Sequence, residues 1–388
     1  MLRITRYFAI SALSIALVSL VGCQSSDSAT SSSSSDSPAS TAEAISNQDG
    51  EVIVEPLTEY TPKQDTDLIE SIRKNKSPNT ELYEVYKDLT VIDIHNHDAA
   101  DPNALAKWGQ YGIDRIVLFG NISEPSAQTT DQQAWEQYRK QPSSVYPSFS
   151  GFPMYEDEGI EIVRNNLEQG YLNIGEVAAA STYSPIVSKV AWKSNHPNDG
   201  NLPRIYDLAA QYHVPILLHI DPPNGEPIVH LEEALNEHPD TTIIFGHANA
   251  YNSPANIEAL LTKHPNLYID FFAGFTAYSN DSTNKLEDFV PLIEKYPDRF
   301  MLSTDSGYGL SVDSAGKALY DLIDLLTPES AVKVAYQNYE KLIETQPPTD
   351  TQIETIKTLS AKAGKFETYK LNKRMANELL FELTELTK

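Results

Sequence analysis

Four histidines and two carboxylates in this chain stand where they could share a divalent cation. His95 and His97 belong to the run Val91-Ile92-Asp93-Ile94-His95-Asn96-His97-Asp98. Residues 91–94 have the β-branched content of a short buried strand, and residues i and i+2 of a strand project from one face. Both imidazoles are therefore aimed at one point just past the strand's end, which is what a metal asks of its ligands. Alone, an H-x-H pair reads equally well as two histidines in a solvated loop. Three further residues close short apolar runs in the same way. Val214-Pro215-Ile216-Leu217-Leu218 delivers His219, Thr242-Ile243-Ile244-Phe245-Gly246 delivers His247, and Phe300-Met301-Leu302-Ser303-Thr304 delivers Asp305. Glu176 follows Leu172-Asn173-Ile174-Gly175 in a fourth run of this kind.

Each of these runs comes after a helix-like segment. Residues 156–169, closed by Gly170, carry Ile160, Ile162, Val163 and Leu167 at amphipathic spacing. Alternation of helices with apolar strands predicts parallel βαβ units. A (β/α)8 TIM barrel, an α/β fold, places its functional residues at the C-terminal strand ends, where the six ligand-type residues fall. The barrel is predicted over residues 66–345, with short helices near 67–75 and 80–86 before it. The tail, residues 346–388, has helically spaced leucines and predicts one or two helices docked on the barrel or on a partner subunit. The long loop 178–200 after the fourth strand carries Tyr183, Lys189, Trp192, Lys193 and His196, and loops of that size on this face usually serve binding. His196 reads as a bystander, and His213, His230, His238 and His264 as solvated or helix-capping residues.

The set His95, His97, Glu176, His219, His247 and Asp305 resembles the metal site of the amidohydrolase superfamily. There the ligands come from strand one (H-x-H), strand four (a bridging Lys or Glu), strands five and six (one His each) and strand eight (an Asp). The resemblance runs from about residue 91 to about residue 343. It takes in Asn198-Asp199 ahead of Leu202-Pro203-Arg204-Ile205-Tyr206, and the closing helix Val334-Ala335-Tyr336-Gln337-Asn338-Tyr339-Glu340-Lys341-Leu342 with its Asn. The branch it resembles is the amidohydrolase-related group, which holds lactone and ester hydrolases and also nonhydrolytic decarboxylases. Gly175-Glu176 is also similar to metal-dependent nucleases of the superfamily. No Lys stands at the strand-four position, so any bridge would be Glu176 itself.

The resemblance implies a divalent metal cofactor, zinc by preference, as one ion or two. A cation in such a cage makes bound water acidic and polarises a carbonyl. Asp305 is expected to take the proton of the attacking water and return it to the leaving group. His95 and His97 hold one ion. His219 and His247 hold a second if Glu176 bridges; otherwise His219 is a ligand and His247 polarises the substrate. Asp93, on the face of His95, is expected to support that ring from behind. The expected activity is hydrolysis of a small carbonyl ester, lactone or amide. Nonhydrolytic decarboxylation of an unsaturated or aromatic acid is the alternative, aided if Arg115, Lys189, Lys193 or Arg204 reaches the pocket. A surface lipoprotein that binds without turnover is the third reading.

The N-terminus carries Arg3 and Arg6 and then an apolar stretch over residues 8–22, the pattern of a secretory signal peptide (1–22). Leu20-Val21-Gly22-Cys23 resembles a bacterial lipoprotein cleavage box, which implies a lipidated Cys23. It is the sole cysteine, which suits an oxidising compartment. Residues 23–65 begin Ser-rich to about Gly50, too poor in apolar groups to offset ordering entropy, and are expected to be a disordered tether. With Gln24 after the Cys, the lipoprotein resemblance implies the periplasmic face of the outer membrane, held by lipid alone. The chain's formal charge is −25; removing Arg3 and Arg6 leaves 27 basic against 54 acidic side chains. So acidic a body repels phosphate backbones, and the expected partners are a small-molecule substrate and a homo-oligomeric copy, not nucleic acid.

Overall fold

The computed structural model describes residues 43–46 and 50–388. The proposed signal peptide, Cys23 and most of the Ser-rich segment lie outside the described residues. Two strands come first, β1 (Glu43–Ser46) and β2 (Ile53–Pro56). Eight parallel strands then follow in spatial as well as chain order: β3 (Ile92–Asn96), β4 (Arg115–Leu118), β5 (Val145–Phe149), β6 (Asn173–Ala180), β7 (Ile216–Ile220), β8 (Ile243–Phe245), β9 (Leu267–Phe272) and β10 (Phe300–Ser303). Each consecutive pair is in parallel register. Helices fill the connections, among them Ala127–Lys140, Asp157–Gln169, Leu202–Gln211, Glu226–Glu237, Pro254–Lys263 and Val312–Leu325. This is the (β/α)8 barrel predicted from the alternation.

The strands read as near-continuous apolar runs because helices cover their outer face while the barrel core covers the inner one; β3, β5, β6 and β7 are buried at every position. The first and last barrel strands, β3 and β10, close the ring without a ladder between them. Asp93 joins them instead, accepting from Thr304 N (2.9 Å) and Thr304 Oγ1 (2.6 Å) as well as from Asn96 Nδ2 (2.8 Å). At the opposite end, Asn338 donates to the carbonyls of Pro297 and Phe300 (2.7 and 2.8 Å) and so pins the closing helix under β10. Among the described residues no helix is long and apolar enough to cross a membrane.

Both ends of the chain differ from expectation. The tail forms two helices, Asp350–Lys362 and Lys373–Leu386, but between them lies β11 (Glu367–Leu371). It pairs antiparallel with β1 and parallel with β2. The tether reading of residues 23–65 therefore fails for its described part, since Glu43–Ser46 and Ile53–Pro56 belong to this sheet. Val52 packs with Ile356, Tyr369, Leu371, Met375 and Leu383 in a small core of its own, the apolar burial that lets so polar a segment order. The tail helix is fastened to the barrel by Arg374 on Glu344 (2.7 Å) and by Asn377 on the Gly170 carbonyl (2.9 Å).

Candidate metal centre

All six residues singled out in the sequence meet at the C-terminal mouth of the barrel. Their ligand atoms form two groups, His95–His97–Asp305 and Glu176–His219–His247, each with its atoms within 4.8 Å of one another. Barrel strands one, four and five carry His95, Glu176 and His219 within the strand; His247 and Asp305 stand two residues past β8 and β10. Both of the latter have left-handed backbone, φ 37° and 38°, a conformation costly for residues other than glycine and typical of sites where structure serves function.

The hydrogen bonds fix which ring nitrogens are free. His95 Nδ1 lies 2.7 Å from Asp270 Oδ2, and His97 Nδ1 lies 2.9 Å from the carbonyl of Gly120. A carboxylate and a carbonyl only accept, so both Nδ1 atoms carry hydrogen. In the neutral rings the two Nε2 atoms are then bare, and they face each other at 3.0 Å. Glu176 Oε2 stands 3.4 Å from the first and 3.2 Å from the second. Asp305 Oδ1 is 3.8 Å from His97 Nε2. In the second group His219 repeats the pattern. His219 Nε2 donates to Asp221 Oδ2 (2.7 Å), which leaves Nδ1 bare, 3.0 Å from His247 Nε2 and 2.9 Å from Glu176 Oε1. His247 Nε2 in turn is 3.2 Å from Glu176 Oε1. Lone pairs brought this close repel unless a cation or protons lie among them. Imidazoles with a carboxylate are the donor set of zinc and its neighbours, and a metal–nitrogen bond near 2.1 Å puts adjacent ligands at about such separations. The residues fit a divalent metal. Glu176 turns one oxygen to each group, the arrangement of a carboxylate that bridges two ions.

The electrostatics agree. Burial opposes ionisation of Glu176, but the surrounding histidines, His95 foremost, hold its carboxyl well below the usual range. Burial opposes charge on His219, yet Asp221 and Glu176 push its imidazole up to about 9. Burial likewise works against a charged His95, and Glu176 and Asp270 outweigh it. Protons are drawn to the lone pairs that a cation would take, so the two compete.

Two carboxylates here went unnoticed in the sequence. Asp270, fully buried on β9, holds the His95 ring and also accepts from the His247 backbone N–H (2.9 Å). A carboxylate behind a metal-binding histidine fixes the tautomer and makes the ring more basic. This was the part expected of Asp93, whose oxygens are instead taken by Thr304, Asn96 and the His95 backbone N–H (3.2 Å). Asp221 does for His219 what Asp270 does for His95. It also accepts from Ser181 Oγ (2.7 Å), Thr182 N, Tyr183 N (2.6 Å) and Ser184 N (3.3 Å), tying the start of the loop after β6 to the site. Asp270 left one signal, a lone acid in the apolar run Leu267–Phe272. Asp221 left another, the same two-residue spacing from His219 that separates His95 from His97.

Arg115, Arg204 and four of the other histidines stand elsewhere. Arg115 opens β4 at the far end of the barrel and pairs with Glu340 (2.7 Å), and the exposed Arg204 pairs with Asp157. His196 stacks on His230 at 3.7 Å, and His238 pairs with Asp207. His264 is buried at a helix end near Glu232, 3.5 Å away, rather than solvated.

No protein-family model and no curated protein matches this chain. Solved structures are similar to it in fold. One is a TIM-barrel protein from Bordetella bronchiseptica, 14% identical over 76% of this chain and 98% of that one, with a TM-score of 0.48. A dihydroxybenzoic acid decarboxylase from Polaromonas sp., solved with manganese and an inhibitor, is 16% identical over 66% and 97%, with a TM-score of 0.45. A probable 2-pyrone-4,6-dicarboxylic acid hydrolase from Acinetobacter baumannii is 12% identical over 66% and 99%, with a TM-score of 0.46.

Proposed function

We propose that this protein is a metal-dependent hydrolase of the amidohydrolase type, acting on a small carbonyl ester, lactone or amide. The observation that carries the reading is the convergence of four ring nitrogens on the two oxygens of Glu176, the His95, His97 and His219 rings each turned by an acceptor on the other nitrogen. His95, His97 and Asp305 would hold one divalent ion and His219 with His247 a second, Glu176 bridging; zinc is the proposed metal. When bound, such an ion supplies Lewis acidity toward a carbonyl and toward water.

Asp305 does the proton work. Its side chain keeps some exposure, where the other cage carboxylate, Glu176, is enclosed by histidines. A carboxylate oxygen at the rim can take the proton from the attacking water and pass it to the leaving oxygen or nitrogen. Asp270 and Asp221 keep the His95 and His219 rings in register, and Phe119, against His95 and His97 at 5.0 and 5.9 Å, excludes water from one side. Decarboxylation has no comparable observation behind it: among the described residues no Lys or Arg pairs with Glu176, Asp221, Asp270 or Asp305, and Arg115 and Arg204 are engaged elsewhere. Asp305→Asn keeps size and a possible contact through the amide oxygen but removes the basic site. Turnover on an ester and lactone panel is expected to fall about 10²- to 10⁴-fold, with less metal lost than in His95→Ala. Full activity in that variant would remove Asp305 from the mechanism and favour a decarboxylase or binding role.

We also propose, from the N-terminal sequence, that Cys23 is lipidated and anchors the protein at the periplasmic face of the outer membrane.

A further inference from the structure

An aromatic ledge borders the metal centre on the side of barrel strands six to eight. Tyr251 follows His247 by four residues and Tyr308 follows Asp305 by three, and both are conspicuously exposed for their size, 50% and 41%. Neither ring is loose. Tyr308 packs edge-on against Phe272 (5.4 Å) and Phe275 (5.6 Å), and Tyr251 against Phe275 (5.4 Å). Phe272 and Phe275 are themselves fully buried, so two tyrosines are braced from below by two phenylalanines.

Its place over the site follows from neighbours. The Tyr308 N–H donates to the Asp305 carbonyl (2.9 Å), and Gly307 lies so near His97 that a Cβ there would come within 2.9 Å of the ring. Burial raises the Tyr251 phenol first, and Tyr308, Asp221, Asp281 and Asp305 add to it in that order. Through Phe275, which both rings touch, Tyr251 is joined to Tyr308 beside the site. Exposed aromatic faces beside a polar site are what a flat apolar group would cover, through edge-to-face or offset stacking. The carboxylates around them are unmatched by any Lys or Arg within ion-pair distance among the described residues.

We propose that Tyr251 and Tyr308, braced by Phe272 and Phe275, are the specificity-determining residues of this site, and that its substrate is an uncharged carbonyl compound bearing an aromatic group. The proposal rests on the hydrolase reading for the carbonyl but not for the ring. Its test is therefore a binding measurement. Benzamide, acetamide and benzoate are titrated by calorimetry into the purified full chain with its metal. Benzamide is expected to bind roughly four- to hundredfold more tightly than acetamide, since each of the two aromatic contacts contributes roughly two- to tenfold, and more tightly than benzoate. Tyr251→Ala and Tyr308→Ala should each erase part of the preference, whereas Tyr251→Phe and Tyr308→Phe, which keep the ring, should retain it. Benzoate binding more tightly than benzamide, equal binding of benzamide and acetamide, a preference untouched in both alanine variants, or binding of none of the three would overturn the proposal. If benzamide behaves as expected while no ester, lactone or amide is turned over, the aromatic ledge stands and the hydrolase reading falls.

Discussion

Replacing Asp270 by Asn probes the centre without touching a ligand. One oxygen of Asp270 receives both the His95 ring N–H at 2.7 Å and the His247 backbone N–H at 2.9 Å. An amide oxygen in the same place can keep both bonds and the packed volume survives; the negative charge is lost, and the amide NH2 falls where Oδ1 lies buried without a partner. Hydrogen bonds to charged groups contribute about 1.5–3 kcal/mol against about 0.5–1.5 for neutral ones. The loss is then roughly 1–3 kcal/mol over the two donors, or about 10- to 100-fold in affinity, the usual reach of a partner behind a metal-binding histidine. The assay is competition for the metal against a chelator of known strength, with near-ultraviolet circular dichroism to show that the variant is folded. Asp270→Ala should do worse, because it leaves two buried donors without a partner at about 1–3 kcal/mol each. A folded Asp270→Asn protein that binds metal within twofold of the parent would refute the reasoning, since the carboxylate would then contribute nothing to the ligands it holds.

Other expectations concern stability and location. Lys373 is wholly buried with one acceptor, the Tyr212 carbonyl at 3.0 Å, and burial pulls its pKa down to about 7. Below pH 7 it is charged in both states and its cost is fully present; between 7 and about 10.4 only the unfolded chain binds the proton, so stability rises with pH. Lys373→Met should raise the melting temperature at pH 6 and lose that advantage by pH 10; a pH-independent difference would count against it. Asp131 has the opposite sign. Burial pushes its carboxyl up to about 8 although it accepts from Gly151 N (2.8 Å) and Ser150 N (3.2 Å), so the native state keeps a proton that the unfolded chain sheds near pH 4. The stabilisation present below pH 4 is lost as pH rises through 8. Asp131→Asn, which cannot ionise, should match the parent at pH 4 and outlast it at pH 9 in thermal melts. Cys23→Ser should release a folded protein from the membrane fraction, and continued retention would sink the lipid anchor.

The ligands were legible because each ends an apolar run, so strand pattern and metal chemistry could be read from the same few residues. The barrel was legible for the same reason, helices and buried strands alternating through Asp305. What escaped depends on pairings with no local trace. Asp270 meets His95 across 175 positions because the barrel brings β9 and β3 to one mouth. Asp93 shares a face with His95, which suggested contact between them, yet ring closure gives its oxygens to Thr304. The sheet of β1, β2 and β11 joins strands of four or five residues, drawn from a Ser-rich segment and a helical tail more than 300 positions away. Alternation over so few residues is indistinguishable from loop.

The central claim is that this cage holds divalent metal through four imidazoles and Glu176, and elemental analysis of the purified protein tests it most directly. Two equivalents of a divalent transition metal per chain are expected, falling sharply in His95→Ala and in Glu176→Gln. Protein that carries no stoichiometric metal, and takes none up when zinc or manganese is added, would contradict the account.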